Sequence, residues 1–183
     1  MDQLGPHYLN DDSKTMFQVS RRADYAMRIM IELGQRGEDA SVSAREISRK
    51  TAVPKAFLHK IVADLAKASL VRTYSGPTGG LALAQPAGDI TALQIIEAIE
   101  GPICVNVCLL RPQECPRDLV CPAHGLWGRL QGMIVAELQT ATLAELVEEA
   151  KVLKQRPQRP GTIQYLFPEG LKRVTAVQEA AGS

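Results

Sequence analysis

The sequence predicts a mainly α fold: a winged helix–turn–helix with a two-stranded wing, then a cysteine-rich loop and a long helix. Three observations predict it. Three amphipathic helical segments follow one another between residues 20 and 69, the last two separated by the tight turn Ala52-Val53-Pro54. Two short apolar stretches then flank the tip Ser75-Gly-Pro-Thr-Gly79. Finally, Cys104, Cys108, Cys115 and Cys121 fall within eighteen residues, and the chain has no other cysteine.

The first helix is predicted from about Ser20 to Gly34–Gly37, because Ala23, Ala26, Met27, Met30, Ile31 and Leu33 recur with a period of about 3.6. Ser43-Ala-Arg-Glu46 reads as a capping box, each side chain satisfying a free backbone N–H, and opens a short helix to about Thr51. Pro54 suits the entrance of the third helix, where its missing N–H would have been unpaired. That helix is expected from about Lys55 to Ser69. Phe57, Leu58, Ile61, Val62 and Leu65 lie on its apolar face, and Lys55, His59, Lys60, Asp64 and Lys67 lie on the other. Residues 70–74 and 80–84 are the expected strands, and the glycines between them permit the positive φ of a hairpin.

Thr91-Ala-Leu-Gln94 is a second capping box, opening a helix to about Glu100. Residues 101–122 are rich in proline and aperiodic, hence a loop. A long helix is predicted from about Pro122 to Gln139, with Leu126, Trp127, Leu130, Met133, Ile134 and Leu138 on one side. Thr142-Leu-Ala-Glu145 opens a last helix to about Leu153, and the polar stretch after Arg156 is expected to be a weakly docked tail. The chain thus divides into an extension (1–15), a helix–turn–helix unit (16–100), the cysteine loop (101–122), two helices (123–155) and a tail (156–183).

Composition narrows the function. At 183 residues and 45% hydrophobic content the chain can form one ordinary domain with extensions. No stretch approaches the roughly 18 apolar residues of a membrane span, and the polar N-terminus resembles neither a signal nor a transit peptide. The cytoplasm, where thiols stay reduced, is the expected compartment. Residues 20–80 carry eleven Lys/Arg against six Asp/Glu, whereas residues 81–183 carry nine against eleven. A basic half followed by a weakly acidic one is the footprint of a nucleic-acid-binding unit joined to a non-binding one. No nucleophile–base pair or phosphate-cradling glycine loop is present, so neither an enzyme nor a small-molecule substrate is expected.

On this reading the third helix enters the major groove of double-stranded DNA. Lys55, Ala56 and His59 face base edges, and Lys60 lies near phosphate. Arg21 and Arg28 of the first helix are further phosphate candidates, and the wing tip, with Ser75 and Thr78, would reach a neighbouring groove or the backbone. The cysteines are separated by three, six and five residues, with no CxxC pair. Soft thiolates select zinc or iron–sulfur clusters, and a zinc site more often shows paired CxxC spacing. The irregular spacing therefore fits a cluster wrapped by a loop. A zinc site, a thiol–disulfide switch and inert structural cysteines are the alternatives. His124, three residues past Cys121, would either ligate or cap the next helix and hydrogen-bond a sulfur.

Taken together, Ser20-Arg-Arg-Ala-Asp-Tyr-Ala-Met-Arg28, Gly76-Pro-Thr-Gly-Gly80, Cys108-x6-Cys115-x5-Cys121-x2-His124-x2-Trp127 and Thr142-Leu-Ala-Glu-Leu146 resemble the Rrf-two-type winged-helix iron–sulfur transcription regulators, with their IscR-, NsrR- and RirA-like members. The resemblance covers about residues 16–153. It implies a homodimer closed by the helix 122–139, a palindromic operator and a repressor role. It also implies an iron–sulfur cluster on Cys108, Cys115 and Cys121, [4Fe–4S] favoured over [2Fe–2S], that senses iron, nitric oxide or redox state. Cys104 is then a supernumerary thiol. The fourth ligand is His124 in the IscR-like pattern. In the NsrR-like pattern it is Asp24, supplied by the other subunit. Two departures stand out: Ser75 replaces the arginine of IscR-like wings, and His59 replaces the acid of their recognition helix. Base specificity is expected to differ accordingly. An iron–sulfur assembly or electron-transfer role is a third reading, which the basic helix–turn–helix argues against.

Overall fold

The structure is a computed structural model and describes residues 19–37, 40–76 and 79–155. The expected extension 1–15, Thr78 at the wing tip and the tail after residue 155 lie outside the described residues. Among those described there are seven helices and one antiparallel pair, and all but the shortest helix follow the expected order. They are α1 (Arg21–Gly34), α2 (Ala44–Thr51), α3 (Lys55–Lys67), β1 (Val71–Thr73), β2 (Leu81–Leu83), α4 (Ala92–Glu100), α5 (Val107–Leu110), α6 (Pro122–Thr140) and α7 (Leu143–Gln155).

Ser20 starts α1, its Oγ accepting from the Ala23 N–H at 3.1 Å. The helix buries Ala23, Ala26, Ile29, Met30 and Leu33, and it packs on α2, α3, α4, α7 and β2. The turn between α2 and α3 depends on Ala52 in the left-handed region (φ 56°). It is held by Thr51 Oγ1 donating to Ile47 O at 2.7 Å and Ser48 Oγ donating to Val53 O at 2.8 Å. In the wing, Val71 pairs with Leu83 and Thr73 with Leu81. Val42, ahead of α2, adds a bridge to Leu81 through two backbone bonds of 2.9 and 2.8 Å. That approach requires glycine at position 80, because a Cβ there would lie 2.9 Å from Val42 O.

The return of the chain is fixed by two helix starts placed side by side. Thr91 and Thr142 form a bridge, and both are N-caps of complete boxes, with Gln94 and Glu145 reaching back to their backbone N–H groups at 2.8 Å. Leu143 and Val147 then bury against α1 at Gly34, where an added Cβ would lie 2.6 Å from a Val147 methyl.

Three expectations need correction. Ser43 does accept from Glu46 N, but the Glu46 carboxylate pairs with Arg36 at 2.6 Å, so the α2 box is only half formed. Phe57 is not on the buried face of α3; it is 44% exposed. The cysteine loop also contains one helical turn, α5, nucleated by the Asn106 cap.

Gly80→Ala is expected to destabilise the fold by about 1–3 kcal/mol, because the obstructing atoms are backbone. The midpoint of urea unfolding at unchanged slope measures this. A second expectation concerns pH. The Thr142 N–H, then its hydroxyl, hold the Glu145 carboxyl below its ordinary value of 4.5. A depressed folded value gives stability that is complete above 4.5 and is lost as the pH falls through the lowered value. The gap in melting temperature between wild type and Thr142→Ala should therefore narrow below that pH.

Candidate functional site

The outer face of α3 presents Lys55, Ala56, Phe57, His59 and Lys60 to solvent, while Leu58, Ile61, Val62 and Leu65 anchor it in the core. The helix–turn–helix therefore places all four expected α3 residues on the exposed side. Asp64 is the one acid of this helix, and Arg22 of α1 neutralises it at 2.6 Å. The pair leaves the exposed face basic and ties α3 to α1. A shallow groove beside it is lined by Arg22, Ala56, Phe57, Lys60, Ala63 and Asp64.

Arg21 and Arg28 are exposed on α1. Arg28 pairs with Asp24 at 2.7 Å and lies over the Tyr25 ring, 5.7 Å from its centroid. Tyr25 in turn meets Phe57 edge to face, with centroids 5.8 Å apart. Sequence reasoning missed this stack and the Arg22–Asp64 pair. Their only signals were an aromatic off the apolar stripe of α1 and an acid on a basic face. Ser75 is exposed on the wing.

The cysteine loop leaves α4 at Gly101 (φ 78°). Its entrance is latched to α1, because Ser20 Oγ donates to Glu100 Oε1 at 2.7 Å. Val105 N–H then donates to Gln131 Oε1 of α6 at 3.2 Å, and Asn106 caps α5 through the Cys108 N–H. Cys104 is exposed, its thiol donating to Asn106 O at 3.1 Å. Cys108 on α5, Cys115 after a 3-10 turn and Cys121 at the N-cap of α6 are half-buried. His124, half-buried, sits in the first turn of α6, its N–H donating to Cys121 O at 3.2 Å.

By donor type these thiols fit an iron–sulfur cluster or zinc. Geometrically they are not gathered: among the described residues no three His, Cys, Asp or Glu side chains converge as a metal site. Asp24 stands apart on α1, half-exposed and engaged with Arg28. Beyond the loop, α6 has no buried residue along its 19-residue length. Leu126, Trp127, Leu130, Gly132, Met133 and Ala136, with Arg129, line a largely apolar trough on it.

Comparison with known proteins gives this geometry a family. The family model for Rrf2, described as an iron-dependent transcriptional regulator, matches residues 19–149. The chain belongs to the Rrf2 family. An HTH-type transcriptional regulator of Haemophilus influenzae is 31% identical over 138 residues, 75% of this chain and 91% of the relative. The HTH-type transcriptional regulator IscR of Photobacterium profundum is 27% identical over 135 residues, 74% and 78% of the two chains. Among solved structures, CymR, the global cysteine regulator of Bacillus subtilis, superposes with a TM-score of 0.62 at 30% identity, covering 73% of this chain and 98% of CymR. This Rrf2-family protein is a DNA-binding transcriptional regulator, not an enzyme. Among the described residues, no helix is long and apolar enough to cross a membrane.

Lys60→Ala is expected to weaken binding to all duplex sequences alike and to lower the salt-dependence slope by about one ion. Titrations at several salt concentrations measure it.

Proposed function

We propose that this regulator is a homodimer whose grip on a palindromic operator depends on an iron–sulfur cluster, and that it acts as a repressor. The observation that carries the reading is the placement of Cys108, Cys115 and Cys121, all half-buried, on one loop between the helix–turn–helix and the uncovered face of α6. The spacing without a CxxC pair supports a cluster over zinc, and the resemblance, through Asp24 at the NsrR-like position, implies [4Fe–4S] ahead of [2Fe–2S]. Residues 16–100 then form the DNA-binding unit, 101–122 the cluster loop and 123–155 the dimerisation helices.

The bound cluster would supply redox chemistry and reactivity toward the sensed signal, whether iron, nitric oxide or redox state. This chain's residues prepare its site. Cys121 lies at the N-cap of α6, where the His124 N–H donates to its carbonyl and holds the two residues on one turn. The Asn106 cap fixes the backbone at Cys108. The fourth ligand is either His124 or the partner subunit's Asp24. An Asp24 ligand would have to leave Arg28, and a half-exposed pair of this kind is worth only about 0–1 kcal/mol. The apolar trough on α6 is suited to a second copy of the same helix, since a long helix with no buried side chain needs cover. Lys55, Ala56, His59, Lys60, Arg21, Arg28, Ser75 and Thr78 are the DNA contacts in this reading.

Protein purified without oxygen should be brown and should contain iron and acid-labile sulfide. Cys115→Ala or Cys121→Ala should abolish the colour, and Cys104→Ala should spare it. Colourless wild type with stoichiometric zinc contradicts the cluster and favours a zinc site on the same fold. Of Asp24→Ala and His124→Ala, the variant that shortens the cluster's lifetime identifies the fourth ligand.

A further inference from the structure

The large apolar side chain that α3 leaves in solvent is Phe57, which is 44% exposed and lies between Lys55 and the pair His59 and Lys60. It shares the groove wall with Ala56 and Lys60, on the side of the helix that faces DNA in a helix–turn–helix. The ring is also held in place. Tyr25 packs against it edge to face at 5.8 Å, and Arg28 stacks over Tyr25 at 5.7 Å. A ring fixed before binding loses little rotamer freedom when it makes contact. In the major groove the apolar feature that distinguishes one base from the others is the C5-methyl of thymine.

We infer that Phe57 is a specificity-determining residue that reads a thymine methyl in each half-site, with Tyr25 as its positioning residue. This inference rests on the family-level DNA-binding role and on the proposed dimer with its two half-sites, and is independent of the cluster. The other surface open to an exposed aromatic, the deoxyribose backbone, is common to all sequences, and the test separates the two.

The probe is a duplex recovered from a random-sequence DNA pool with the wild-type protein, in which each thymine is replaced singly by deoxyuridine. That exchange removes the methyl and keeps every hydrogen-bonding group. One position per half-site should lose about threefold to fivefold in wild-type affinity, the value expected for one buried methyl. Phe57→Ala should bind thymine and uracil duplexes equally at that position, and Phe57→Leu should keep part of the difference. Tyr25→Ala should shrink it, and Tyr25→Phe, which keeps the ring contact, should retain it. The inference is overturned if wild type is indifferent to every uracil, or if the selected half-sites contain no thymine. It is equally overturned if Phe57→Ala weakens all duplexes alike while the uracil effect persists. Failure to recover any duplex contradicts the DNA-binding role itself.

Discussion

The burial of α1 is the constraint on which the rest of this molecule depends. One helix of fourteen residues supplies core side chains to α2 and α3 on the helix–turn–helix side and to α4 and α7 on the other. Ile29, Met30 and Leu33 sit in one continuous core cluster with Ile47, Leu58 and Leu65 as well as Ile95, Leu143 and Val147. The helix–turn–helix and the element leading into the thiol loop therefore do not have separate cores. A displacement of α4 changes the packing of α1, and well-packed interiors transmit such displacement rather than absorb it.

Polar contacts reinforce that sharing at both ends of α1. At its start, Ser20 is at once the helix cap and the donor to Glu100, the last residue before the loop turns away at Gly101. At its end, Glu32, largely buried, is held by Arg36, which also grips Glu46 at the start of α2. Arg36 is held charged by those two carboxylates, Glu32 contributing most. Lys154 of α7 donates to Gln35 and approaches Glu32. Each exposed contact is weak alone. Together they tie α4, which leads into the cysteine loop, and α7 to the elements that place α3.

What was legible in the sequence was local. The boxes at Thr91 and Thr142 were readable because both partners of each lie within one turn. The Ser43 box was half right because Arg36, ten residues from Glu46, takes its carboxylate. Phe57 was assigned to the core because helical spacing gives the face but not the width of the partner packed on it. Tyr25 meets that ring edge to face, and the residue is still 44% exposed. The thiol loop was legible as chemistry, through residue type and spacing. Its conformation was not, because an aperiodic segment takes its shape from distant contacts such as Val105 to Gln131. Arg22–Asp64 was hidden for the same reason, its partners being 42 residues apart.

In the proposed function the state of the thiol loop sets the hold of α3 on DNA. The most direct measurement is the dissociation constant for the selected duplex, determined without oxygen on iron–sulfur-loaded protein and on the same protein after the cluster is removed. The account predicts constants that differ at least about fivefold, the lower end of ordinary coupling between two sites. Equal constants, with both forms folded and the loaded form retaining its iron, would contradict it.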